Sequence, residues 1–174
     1  MEERKPMSHV RAGLLIAAAI MLISLIPMIA GAGEAKPGSG LLTYAAILAG
    51  LIINIFAYGR AKNGNVSFGE LFSFGFKATA VYTIIFIGFL VLFSLLVPEF
   101  KSTALTATRA QMETGPQATQ QQVEQNMAAL EKYFWVFAIG GTTMVFVIIG
   151  AIGSLIGAAI TKKNPPIHLD QSPT

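Results

Sequence analysis

The stretch from Ser67 to Phe100, SFGELFSFGFKATAVYTIIFIGFLVLFSLLVPEF, limits the possible folds of this chain more than any other. From Leu71 to Val97 the only charged residue is Lys77. A run of that length reaches across a bilayer, which takes roughly 20 apolar residues at about 1.5 Å of rise each. Its start is marked by Ser67 and Glu70, three residues apart, the spacing of a capping box. The serine oxygen accepts from the amide three residues on, and the glutamate accepts from the serine's own amide. Its end is marked by Pro98, which cannot continue a helix. Lipid offers no water to satisfy backbone groups, and nothing here alternates as a barrel strand does, so the stretch must be a helix.

Composition extends this conclusion to the whole chain. Of 174 residues, 53% are hydrophobic and only 12% are charged, whereas a soluble domain carries about 25% charged residues. A small globule has too much surface to hide such a deficit in its core. The net charge of +3 gives no reason to invoke nucleic acid. With no cysteine, disulfides, thiolate metal sites and a cysteine nucleophile are excluded. The two histidines, His9 and His168, lie near opposite ends of the chain, so the sequence implies neither a metal centre nor a cofactor.

Three further apolar runs accompany the first. The expected layout is a polar N-terminus (1–11), spans at 12–32, 41–58, 68–97 and 134–160, a polar connection at 98–133 and a disordered, proline-rich tail at 161–174. Pro27 is expected to kink the first span or end it early. A cleaved signal peptide competes for this segment, but the run from Ala12 to Ile29 exceeds the usual apolar region of about 7 to 15 residues. Within the connection, Val123, Met127, Leu130 and Phe134 recur on one helical face, and Gly115-Pro116 divides it, so a helical hairpin is expected. The fold class is therefore all-α: an integral membrane four-helix protein with an extracytoplasmic helical hairpin. The hairpin either links two spans or caps the bundle as a binding surface.

Eight of the twelve lysines and arginines fall on one side of this layout: Arg4, Lys5, Arg11, Arg60, Lys62, Lys77, Lys162 and Lys163. Positive charge stays in the cytoplasm, so both termini are expected there.

Few residues invite chemistry. Lys77 sits about 15 Å along its helix and is either a buried ion site or a side chain that snorkels to lipid headgroups. Glu70, seven residues before Lys77 and on the same side of the helix, either caps the helix or bridges to Lys77. Asn54, deep in the second span, is expected to hydrogen-bond across helices, with Tyr44 and Tyr82 as available partners. Asn54, Tyr82 and Lys77 together would make a thin transport pathway. Phe68, Phe72 and Phe76 form a stripe suited to interface anchoring. Gly150, Gly153 and Gly157 permit close helix packing, within the bundle or between copies.

The pattern of Arg60, Lys62, Gly64, Ser67, Phe68, Phe72, Gly75 and Phe76, followed by Pro98 and Glu99, resembles an uncharacterised bacterial membrane family known as "domain of unknown function 4199". The resemblance implies four spans, with a basic turn before the third and a long polar loop before the last, and implies no activity. The expected function is that of a non-enzymatic membrane binding or accessory protein. Its partners are the lipid bilayer and either another membrane protein or further copies of itself. A small oligomeric transporter or channel subunit is the alternative.

Overall fold

The computed structural model describes residues 6–29, 39–114 and 119–164, and all regular structure among them is α-helical. The helices are α1 (His9–Ile29), α2 (Ser39–Ala61), α3 (Phe68–Leu96), α4 (Phe100–Glu113), α5 (Gln120–Lys132) and α6 (Phe134–Ile160). Of these, α2, α3 and α6 are long and apolar enough to cross a membrane, and α1 adds a shorter apolar helix over His9–Leu25.

Local sequence sets the helix ends. Both halves of the α3 capping box form: Ser67 Oγ accepts from the Glu70 amide at 3.1 Å, and Glu70 Oε2 accepts from the Ser67 amide at 2.8 Å. Val66, just before the cap, and Leu71, four residues into the helix, are both buried in the core, which is the placement of a hydrophobic staple. The helix stops at Leu96, two residues before Pro98. α2 ends in a Schellman turn, in which the Gly64 amide donates to the Gly59 carbonyl and the Asn63 amide to that of Arg60. Asn63 and Gly64 take positive φ values of 54° and 74°, the conformation that asparagine and glycine adopt most easily. α1 begins at His9 with Ser8 Oγ accepting from the Arg11 amide, and the helix carries past Pro27. The stretch from Ala30 to Gly38, the Gly115-Pro116 break and the tail from Pro165 lie outside the described residues.

α1, α2, α3 and α6 form a four-helix bundle. α3 packs on α1 and α6, α2 packs on the same two helices, and α2 touches α3 across the middle. The core is filled by fully buried Ile20, Ile47, Leu51, Ile55, Leu71 and Tyr82. Close approach depends on glycine. A Cβ on Gly75 of α3 would lie 2.6 Å from Ile55 Cδ1 and from Ser154 Oγ, and one on Gly13 of α1 2.6 Å from Val81 Cβ. In lipid such packing, rather than exclusion of water, holds helices together. The outer surface is correspondingly apolar: Leu22, Leu42, Ile53, Ile84, Leu95 and Val136 are all exposed. In water this would be an aggregation surface, whereas hydrocarbon matches it.

α4 and α5 pack mainly on each other. Val123 is the buried residue of the pair, and it follows a second capping box at Thr119 and Gln122. Aromatic contacts tie the pair to the bundle: Phe93 meets Phe100 at 5.6 Å, and Phe100 meets Phe134 at 6.3 Å.

Candidate functional site

A polar concavity lies at the end where α1 and α3 begin and α2 ends. It is a cleft of about 630 Å³. The first turns of α3 form one wall, carrying Glu70, Ser73 and Lys77. Tyr58 of α2 faces it, and Ser8 and His9 close it from the α1 side. Heptad spacing explains why Glu70 and Lys77 share the cleft, since seven residues make nearly two full turns. The Tyr58 ring is fixed by stacking on buried Phe74 at 4.4 Å, and Lys62 covers it with its ammonium 5.9 Å from the ring centre. Neighbouring contacts stiffen this end. Asn164 beyond α6 donates through its amide group to the Asn63 carbonyl at 2.6 Å and through its backbone to that of Gly64 at 2.9 Å. Lys163 lies over the Phe68 ring at 5.7 Å.

The structure separates other residues that the sequence suggested might act together. Lys77 is exposed and, among the described residues, has no ion pair; the single ion pair there joins Arg109 and Glu113 at 3.3 Å. Of the two roles open to Glu70, the cap is the one that forms: it is turned back onto the Ser67 amide and makes no bridge to Lys77. Asn54 does not reach across helices. Its side-chain amide donates to the Gly50 carbonyl of its own helix at 2.7 Å, one turn back. Tyr82 instead donates to the Phe146 carbonyl of α6 at 3.2 Å. Among the described residues no hydrogen bond joins Asn54, Tyr82 and Lys77 to one another. Phe68 and Phe76 are exposed, and Phe72 stacks on Phe76 at 5.7 Å.

Gly150, Gly153 and Gly157 of α6 face inward. Gly153 meets Leu48 and Leu51, Gly157 meets Ile55, and Gly150 meets the Thr79 side chain. Gly140 and Gly141, nearer the start of α6, have open space where a Cβ would stand. Among the described residues no group of three histidines, aspartates or glutamates is placed to hold a metal ion.

The sequence reading missed the cleft, because its three walls come from segments far apart in the chain and only Lys77 and Glu70 had drawn attention. A T-x-x-Q signal for the α5 cap was also present and overlooked.

A family model described as "Protein of unknown function (DUF4199)" matches residues 11–163. The chain belongs to this family. The DUF4199 match takes in the bundle, the α4–α5 pair and both sides of the Schellman turn, and the α3 and α2 walls of the cleft lie inside it. No curated protein and no solved structure matches the chain.

Proposed function

We propose that the protein is a four-span, non-enzymatic membrane protein that binds other membrane components, with both termini cytoplasmic and the α4–α5 pair outside, in the bacterial cytoplasmic membrane. α1 supplies the fourth span: it is apolar and packs against both α2 and α3. Lysines and arginines gather where α2 and α6 end and α3 begins, which is the basis for the orientation.

One observation carries the binding reading over transport. Three polar groups at depth serve the helices rather than a pathway. Asn54, Thr79 and Tyr82 each donate to a backbone carbonyl between layers of fully buried isoleucine and leucine. Transport pathways usually show several ionisable groups within the membrane, and here Lys77 stands at one rim. Polar surface suited to recognition is left at the two ends, on α4–α5 and around the cleft.

The test is extraction of the tagged protein from its own membranes in mild detergent, with mass and composition determined. A reproducible stoichiometric membrane-protein partner is expected. A lone homo-oligomer whose ion flux in liposomes falls on Lys77→Met substitution would overturn the reading in favour of a transporter.

A further inference from the structure

The cleft carries one positive and one negative side chain on a single wall, and they are not paired with each other. Lys77 is exposed and has no carboxylate partner among the described residues. Glu70 uses one oxygen on the Ser67 amide, and its second makes no hydrogen bond among the described residues. About 10 Å of helix rise separates the two positions. Ser73 lies between them on the same wall and Tyr58 lines the cleft opposite, so two hydroxyl-bearing residues border the gap. The volume of about 630 Å³ is that of a small-ligand site rather than a packing defect. Exposed Phe68 and Phe76 on the same helix set this level at the boundary between lipid and water, where aromatic side chains anchor.

We propose that this cleft holds the headgroup of an ethanolamine phospholipid, with the phosphate on Lys77 and the ammonium on Glu70. The charges match one to one. A choline headgroup has no N–H to donate to the carboxylate. A glycerol headgroup offers Glu70 only neutral hydroxyls in place of an ammonium and so forms no ion pair with it. Ser73 and Tyr58 donate to the remaining phosphate oxygens, as charge-assisted hydrogen bonds require. This inference goes beyond the accessory reading and is independent of any protein partner; it needs only that the bundle lies in a bilayer.

The experiment uses the full chain in nanodiscs of equal phosphatidylethanolamine, phosphatidylcholine and phosphatidylglycerol, with retained lipid counted by native mass spectrometry after mild release. The wild type is expected to retain phosphatidylethanolamine over phosphatidylcholine by about tenfold, the scale of one charge-assisted hydrogen bond. Glu70→Gln abolishes that preference while leaving the helix start intact, because glutamine also completes a capping box. Lys77→Met lowers retention of both lipids alike, and an unchanged melting temperature certifies each variant as folded. Millimolar soluble phosphoethanolamine leaves the bound lipid in place. The proposal is overturned if the wild type shows no ethanolamine preference, if the preference survives Glu70→Gln, if phosphatidylglycerol is retained best, or if soluble phosphoethanolamine displaces the lipid.

Discussion

At the scale of single residues, the same substitution has opposite consequences at two glycines of α6. A Cβ on Gly150 runs into the Thr79 side chain, which is buried, hydrogen-bonded to the Gly75 carbonyl at 3.1 Å and, being β-branched, has little rotamer freedom. Gly150→Ala should therefore destabilise the bundle by about 1–3 kcal/mol, the usual range for overpacking. At Gly140 a Cβ meets nothing within 4 Å, so Gly140→Ala should be neutral or stabilising by about 0.5–1 kcal/mol through helix propensity. Reversible unfolding in mixed micelles would compare the two, and equal effects would contradict the packing described. Ser154 is fully buried, and its hydroxyl has no partner among the described residues. Ser154→Ala removes an unsatisfied group, and a gain of roughly 1 kcal/mol is expected in the same assay; a loss of that size would mean the hydroxyl has a partner after all.

At the scale of elements, α5 depends on its cap more than the spanning helices depend on theirs. It buries only Val123, so little packing holds its first turn. Thr119 Oγ1 accepts from the Gln122 amide at 3.3 Å, and Gln122 Oε1 accepts from the Thr119 amide at 3.2 Å. Losing such a cap costs about 1 kcal/mol. Thr119→Ala should speed amide exchange at Gln120–Val123 by roughly fivefold while leaving α3 unchanged. Acceleration throughout the bundle would show that the α4–α5 pair is coupled to the spans more tightly than the aromatic joint at Phe93, Phe100 and Phe134 provides.

For the whole molecule the deciding quantity is orientation. The chain lacks cysteine, so an introduced one is unique. Gln121→Cys, on exposed α5, should react with an impermeant maleimide added to intact cells. Labelling only after the membrane is opened would invert the proposed topology and move the cleft to the outer leaflet. The prediction belongs to this scale because it depends on every span at once: parity places α5 opposite the ends of α2 and α6.

Much of this protein was legible in its sequence, since the signals concerned are local. The apolar run after Ser67, the Ser67–Glu70 cap and the stop at Pro98 each act within a few residues, and the low charge content leaves lipid as the only solvent for the surface. Placement across the bundle was not legible. That Tyr82 reaches Phe146 and that Tyr58 and His9 come to face Glu70 and Lys77 across one cleft both depend on helix rotation. Helix rotation in turn depends on which surfaces can approach most closely. In a nearly uniform apolar sequence, hydrophobic periodicity does not mark the inward face, because lipid and core are equally apolar. The inward faces were settled by steric fit, with Gly13, Gly75, Gly150, Gly153 and Gly157 receiving the side chains of neighbouring helices. Sequence alone determined that this chain contains apolar helices of membrane length; only tertiary packing decided which residues those helices turn toward one another.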